Sequence, residues 1–174
     1  MKVSIERKPS SNTWEKAKAD IIVDGVGTIY GFSLRETKEG NEWLAPPSIK
    51  TKEGYQNVVM LNGALRAEVL DAIQKIKDGE STSIEYTPTG DTPMAVYVNP
   101  YSGDESLLAM GSMTIKNVVS VNSCTMRKKG SDMIFNMPGY SYKGKIYHYL
   151  NLEKPVFAKV QASAKEAYKA KAAV

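Results

Sequence analysis

The side chains best suited to a binding role are concentrated in one short, tyrosine-rich segment. Residues 137–149 read MPGYSYKGKIYHY, which places four tyrosines and two lysines in thirteen positions. Aromatic rings can stack on unpaired bases and lysines can contact phosphates, so this composition is typical of a surface that binds single-stranded nucleic acid. The solvent-facing side of an ordinary β-hairpin has the same composition, and the segment alone leaves both interpretations open.

Patterns for catalysis or for small ligands are absent from the sequence. Its one cysteine, Cys124, cannot form an internal disulfide, and with one histidine, His148, it cannot build the usual zinc site. Cys124 is predicted to be a buried strand thiol and His148 a strand residue rather than a general base. Trp14 and Trp43 are interpreted as core or edge packing residues rather than ligand platforms. No phosphate-binding glycine loop or carboxylate pair occurs, so we expect no enzymatic activity, cofactor, metal or small-molecule substrate.

Two groups of cations could contact phosphates. Arg127, Lys128 and Lys129 follow directly on a predicted strand, and three adjacent cations at a hairpin tip either clamp phosphates or serve solubility. Lys165 and Lys169 are four residues apart on a predicted helix, where a solvated face is an equally good interpretation.

Tyrosines of the segment divide into two pairs. Tyr140 and Tyr142 are expected in a turn, where their rings could stack on bases, whereas Tyr147 and Tyr149 are expected on a strand and belong mostly to the scaffold. The candidate nucleic-acid-binding residues are therefore Arg127, Lys128, Lys129, Tyr140, Tyr142, Lys143, Lys145, Lys50, Lys52, Lys165 and Lys169.

Charge is distributed unevenly along the chain. The net charge is +4, but residues 1–90 contain 12 basic against 13 acidic side chains, a net of −1, and residues 91–174 contain 11 against 6, a net of +5. Long-range attraction for a polyanion should therefore come almost entirely from the second half.

Each half of the chain shows several short strands followed by one helix. β-branched and aromatic runs predict the strands, and apolar residues at helical spacing predict the helices. Asn62 is the predicted N-cap of the first helix and Gly79 the point where the chain leaves it, while Pro155 suits the first turn of the second. The predicted strands are 16–24, 27–36, 42–46 and 55–61 before a helix over 62–79, and 107–115, 118–127, 133–137 and 145–152 before a helix over 153–172.

The two halves resemble each other. A shift of 92 places residues 21–34 over 113–126, and a shift of 91 then places Pro47 on Pro138. We interpret this as an internal duplication with repeats at residues 1–79 and 94–174 and a linker at 80–93. One copy of about 75 residues buries too little apolar surface to be more than marginally stable. The predicted fold is therefore α+β, with two tandem copies of an antiparallel sheet and one C-terminal helix, packed as an intrachain pseudo-dimer.

Both halves resemble the stage V sporulation protein G (SpoVG) family of septation regulators. That family's pattern is a strand–turn–strand unit, a strand ending in Met-Pro-Ser, a basic turn, another strand and a C-terminal helix. The tripeptide is Pro46-Pro47-Ser48 in the first copy and Met137-Pro138-Gly139 in the second. The family is usually a single copy that dimerises. The resemblance implies a non-enzymatic DNA-binding, in some members RNA-binding, regulator of septation, sporulation, cell division and gene expression.

The leading hypothesis is a cytoplasmic bacterial or phage regulator that binds DNA, RNA or both. No apolar run is long enough to span a membrane and the N-terminus lacks a signal-peptide core, so no membrane association is expected. The alternative is a protein–protein interaction or inhibitor module that retains the fold. The sequence leaves open which nucleic acid is bound, which process is regulated and whether the chain self-associates further.

Overall fold

The computed structural model describes residues 1–90 and 93–174; Asp91 and Thr92, near the end of the predicted linker 80–93, lie outside the described residues. Over these ranges the fold is α+β, with mostly antiparallel sheets and two helices, the second at the C-terminal end. The elements are β1 (Lys2–Lys8), β2 (Ala17–Val23), β3 (Gly27–Glu36), β4 (Glu42–Ala45), β5 (Ser48–Thr51), β6 (Gly54–Asn57), β7 (Val59–Leu61), α1 (Gly63–Gln74), β8 (Ser81–Glu85), β9 (Met94–Pro100), β10 (Leu107–Ile115), β11 (Val119–Lys129), β12 (Asp132–Asn136), β13 (Gly139–Tyr142), β14 (Lys145–His148), β15 (Leu150–Leu152) and α2 (Lys154–Ala172).

Two larger sheets are built from the two halves of the chain. The first has the order β15-β3-β2-β1-β8, with β4 pairing the C-terminal part of β3. The second has the order β12-β11-β10-β9, with β7 pairing the N-terminal part of β11. Alternating apolar residues in these strands bury one continuous core, which explains why the strands form where the pattern of period two predicts them.

Each larger sheet includes one short strand from the other half. In the second sheet, Leu61 of β7 pairs with Val119, and in the first, Leu150 of β15 pairs with Ile29. Gly27 permits the close approach of β15, because a Cβ at this position would lie 2.1 Å from the carbonyl oxygen of Asn151. Both sheets are therefore completed by the opposite half of the chain.

Matching irregularities interrupt the central hairpins of the two sheets. The register shifts between Ala19 and Ile21 in the β2–β3 pair, and between Gly111 and Met113 in the β10–β11 pair. The nearby residues with positive φ are Gly31, at 90°, and Ser123, at 59°. These bulges bend the long strands β3 and β11 at corresponding points.

The first helix begins as predicted and ends earlier than predicted. Asn62 is its N-cap, confirming the prediction, since the side-chain oxygen accepts a hydrogen bond of 2.9 Å from the Ala64 N–H. The helix ends at Gln74 rather than near Gly79. The Arg7 guanidinium donates to the carbonyl oxygens of Ile73 and Ile76, at 3.1 and 3.0 Å, and so satisfies backbone acceptors where the helix stops.

Residues 80–93 are not wholly a connecting segment. Ser81–Glu85 forms β8, which pairs with β1 along the edge of the first sheet. The serines and threonines of this stretch are typical of a linker, which is why the sequence predicted one. Threonine also favours strands, and an edge strand needs few apolar residues. In β8, Ile84 packs against the core while its neighbours remain polar.

Candidate nucleic-acid interface

Two small hairpins stand at corresponding places in the chain, β5–β6 in the first half and β13–β14 in the second. The turn of the second hairpin is Lys143-Gly144, with positive φ at both residues, 49° and 76°, as a two-residue hairpin turn requires. The prediction that Tyr140 and Tyr142 lie in the turn is therefore wrong. Both lie on β13, because the residues that adopt positive φ come after them.

The exposed tyrosines share one face of β13–β14, which we call the tyrosine face (Tyr140, Tyr142, Lys145 and Tyr147). Tyr140 lies opposite Tyr147, and their rings stack with centroids 5.6 Å apart. Tyr142 lies opposite Lys145, and the Lys143 Nζ is 5.3 Å from its ring centroid. Both candidate tyrosines are exposed to solvent, with aromatic faces and ammonium groups adjacent.

Tyr149 connects the tyrosine face to the first half of the molecule. Its ring is half-buried with a centroid 5.4 Å from that of Tyr140, and burial raises the pKa of its phenol. On the other side it packs on Gly31, where a Cβ would lie 3.1 Å from the Tyr149 ring. Tyr149 therefore has a scaffold role, as the sequence suggested, and it also positions Tyr140.

The opposite face of the same hairpin forms a shallow second-half groove of about 330 Å³ over the outer side of the second sheet. His148 lies there with its Nδ1 3.0 Å from the carbonyl oxygen of Met137. Cys124 does not line the groove: it is buried in the core, and burial raises the pKa of its thiol to about 12. The residues lining the groove are Thr125, Arg127, Asn136, Met137, Gly139, Tyr140, Ser141, Ile146 and His148.

Arg127, Lys128 and Lys129 are exposed, but they do not form one cluster. Successive side chains of a strand point to opposite faces, so Arg127 and Lys129 share the outer face and Lys128 points to the other. The Arg127 guanidinium donates to the Ser106 hydroxyl at 3.3 Å and lines the second-half groove beside Tyr140. Arg127 therefore shares a groove with Tyr140 but not with Tyr142, and Lys128 points to the other face of the strand.

Lys165 is held in an ion pair. Its Nζ donates to both carboxylate oxygens of Asp132, at 2.9 and 3.0 Å, and this hydrogen bond lowers the pKa of Asp132. α2 covers the buried face of the second sheet, the face of Met126, whereas Arg127 points to the outer face. Lys165 therefore belongs neither to the second-half groove nor to the tyrosine face. Lys169 is exposed on the same helix.

A second, larger groove is lined mainly by residues of the first half, including both tryptophans. The Arg35 guanidinium carbon is 4.4 Å from the Trp14 ring centroid and 5.6 Å from that of Trp43. The groove measures about 610 Å³. We call it the first-half groove; its lining residues are Trp14, Gly31, Arg35, Trp43, Ala45, Pro46, Pro47, Ser48, Tyr55, Asn57 and Tyr149.

Neither tryptophan is a core residue; both rings lie against Arg35 at the surface. Trp14 is 57% exposed and Trp43 is 42% exposed. Trp43 alternates with the buried Leu44, as Arg35 does with the buried Leu34, so both point outward from paired strands. This alternation was readable in the sequence and is the signal that could have identified the groove.

A network of hydrogen bonds positions Trp14 on the loop between β1 and β2. The Glu15 carboxylate accepts from the Ser10 hydroxyl at 2.6 Å and from the Asn12 amide at 3.1 Å. The same carboxylate is 3.9 Å from Arg35, whose Nε donates to the Ser33 hydroxyl at 2.9 Å. The loop and the guanidinium are thus tied together, which orders the indole and the cation side by side.

The candidate lysines of the first half lie on the β5–β6 hairpin. Lys50 is directly opposite Tyr55 and therefore shares its face, which borders the first-half groove. Lys52 lies in the turn, followed by Glu53. Lys50 is thus brought to the groove, and Lys52 stands at the hairpin tip as its counterpart Lys143 does.

Comparison with models of known families, with curated proteins and with solved structures finds no match to this chain. The resemblance to the stage V sporulation protein G family therefore stays a prediction from the segments quoted above. Within residues 1–90 and 93–174, no helix has the length and apolar character needed to cross a membrane. The same residues contain no group of three or more histidine, cysteine or acidic side chains that could hold a metal ion.

Proposed function

We propose that this chain is a non-enzymatic nucleic-acid-binding protein that contacts single-stranded DNA or RNA through the tyrosine face. The observation that carries the proposal is the exposed, stacked Tyr140–Tyr147 pair with Tyr142 beside it and Lys143 and Lys145 within the same hairpin. Such rings offer flat surfaces to successive bases, and the lysines offer charge to the backbone between them. The positive net charge of the second half adds long-range attraction.

The proposal includes an origin by duplication and an intrachain pseudo-dimer of the stage V sporulation protein G type. Three observations support it: matching strand orders, the exchange of β7 and β15 between sheets, and corresponding bulges at Gly31 and Ser123. Two copies in one chain need no second chain to complete their sheets. Their association is intramolecular and therefore does not depend on protein concentration. A regulatory role in a bacterium or a phage, in septation or sporulation, follows from the resemblance alone.

One observation favours the alternative, a protein-interaction module. Over the described residues, β9 pairs only with β10, whereas β1, its counterpart in the first sheet, is also covered by β8. An edge strand with one strand partner can accept another from a partner protein. Binding of a partner strand at β9 would not require the lysines of the tyrosine face.

Fluorescence anisotropy with labelled single-stranded DNA, single-stranded RNA and duplex DNA, over about 50–200 mM salt, tests the proposal. Changing Arg127 and Lys129 together to Gln should lower the slope of log affinity against log salt by about 1.4–1.8, because each lost phosphate contact contributes about 0.7–0.9. Lys128→Gln is the control for charge on the opposite face: it removes one positive charge there and should leave the slope nearly unchanged. Absence of binding to every nucleic acid at low salt would sink the proposal and favour the protein-interaction alternative.

A further inference from the structure

The first-half groove is built by groups that no part of the proposed tyrosine-face contact uses. Arg35 lies against two indole rings, and both indoles keep a large exposed surface. A guanidinium held against aromatic rings presents its own flat face and its charge at the same place. Flat aromatic and guanidinium surfaces are the groups on which proteins stack splayed-out bases.

We infer that the first-half groove is a nucleobase-binding site, in which one base of a single strand stacks against Trp14 or Trp43 with its phosphate near Arg35 and Lys50. The inference rests on the proposed function and extends it to the opposite half of the chain. It assigns the strongest base contact to the half that has no surplus of positive charge.

Size and polar groups suit a base. The volume of about 610 Å³ falls within the roughly 300–1,000 Å³ of small-ligand sites. Ser48 and Asn57, which face each other across the β5–β6 hairpin, supply hydrogen-bonding groups for a base edge. Pro46 and Pro47 add apolar surface to the lining.

Tyr149 makes the groove continuous with the tyrosine face. It lines the groove, and its ring centroid lies 5.4 Å from that of Tyr140, a normal separation for aromatic neighbours. A single strand that stacks on Tyr140 could therefore continue past Tyr149 to the tryptophans. The bound strand would cross from one half of the chain to the other.

Charge favours a polyanion over the other usual occupant of an aromatic groove, a proline-rich peptide. Arg35 lines the groove, and Lys50 shares a hairpin face with Tyr55, which also lines it. The Glu15 carboxylate, 3.9 Å from Arg35, is only 6% exposed and also accepts hydrogen bonds from Ser10 and Asn12. The acidic residues at the end of β3 and the start of β4 are paired with a lysine, since Lys16 Nζ lies 2.7 Å from Glu36 and 2.6 Å from Glu42.

The chain has two tryptophans and both line this groove, so intrinsic fluorescence reports on it directly. Titration of the native protein with unlabelled oligothymidylate should quench tryptophan emission with the same midpoint as the anisotropy curve. Trp43→Ala should weaken binding of labelled oligothymidylate about 5- to 150-fold, the range expected for one stacked base. Tyr97→Ala is the matched control, because Tyr97 is 58% exposed on β9 and lines neither groove.

The outcomes separate this inference from the function on which it rests. Anisotropy that shows binding, with unchanged tryptophan emission or unchanged affinity of Trp43→Ala, overturns the inference and leaves the tyrosine face as the site. Emission that responds to a polyproline peptide and not to oligothymidylate also overturns it. No binding by either method overturns both. Should circular dichroism show that Trp43→Ala is unfolded, the quenching of the native protein decides.

Discussion

The first-half and second-half grooves occupy corresponding positions but are lined by different side chains. Each has an arginine on the outer face of the long strand, Arg35 or Arg127, and each is bordered by the hairpin that follows. At two corresponding positions near this arginine the first half has an aromatic ring where the second half has an isoleucine, and at a third an asparagine corresponds to a histidine. The corresponding pairs are Trp43 and Ile134, Tyr55 and Ile146, and Asn57 and His148.

The difference shows that charge and stacking are distributed independently in this chain. The second half has a net charge of +5, yet the larger groove and both tryptophans belong to the first half. Charge acts over about 8–10 Å at ordinary ionic strength, whereas stacking requires contact between rings. Net charge therefore indicates which half attracts a polyanion and leaves open which half holds its bases.

The largest effect expected from breaking the link between the halves is on stability. Leu150 is 1% exposed on β15, the strand that the second half contributes to the first sheet. Leu150→Ala should lower the free energy of unfolding by about 2–5 kcal/mol, because it leaves a cavity in the shared core. Urea unfolding followed by circular dichroism measures this change.

Because both sheets contain an exchanged strand, the variant should still unfold in a single transition, as the native protein should. Val59→Ala, at the corresponding position of β7, is the matched substitution in the other direction. Two separated transitions in either protein would contradict the interdependence of the halves.

Substitutions on the tyrosine face should have an intermediate effect, on the affinity for oligonucleotides. Tyr142→Ala should weaken binding of single-stranded oligonucleotides by about 1–3 kcal/mol and change duplex binding little, because only unpaired bases expose their faces to a ring. Tyr142→Phe keeps the ring and should restore most of the affinity. Equal losses for single strands and duplexes in an anisotropy assay would show that Tyr142 contributes something other than stacking.

The sequence predicted the local elements better than their partners. The α2 bounds and the Asn62 cap follow from periodicity and capping chemistry and are confirmed. The exchange of β7 and β15 could not be predicted, because a short apolar strand has the same pattern whichever sheet it joins. The formation of β8 also depends on a tertiary contact, because β8 pairs with the edge of β1.

For the candidate site residues too, local properties were predictable from the sequence and tertiary contacts were not. The exposure of Tyr140 and Tyr142 agrees with a binding role, although the turn lies after them. The separation of Lys128 from Arg127 follows from strand alternation once β11 is known to extend to Lys129. The engagement of Lys165 could not be foreseen, because its partner Asp132 is distant in sequence and reaches it only through the packing of α2.

The smallest effect on stability is expected from substitutions at the contacts between the helices and the sheets. At corresponding helix positions, Gln74 donates to Glu42 at 2.8 Å in the first half and Lys165 donates to Asp132 in the second. Lys165→Gln would make the second contact resemble the first. An exposed ion pair contributes little to stability, so the variant should unfold at nearly the native urea concentration at pH 7.

The pH dependence of Lys165→Gln sharpens this prediction. Lys165 lowers the pKa of Asp132 in the folded protein, so the pair stabilises the fold above the ordinary pKa of about 3.9 and loses that contribution as the pH falls through the lowered value. Native and variant urea midpoints should therefore converge below about pH 4. In the binding assay the variant should keep the native salt slope, because Lys165 is engaged by Asp132 on the side of the sheet away from Arg127. A slope lowered by about 0.7–0.9 would instead make Lys165 a phosphate contact and extend the binding surface onto α2.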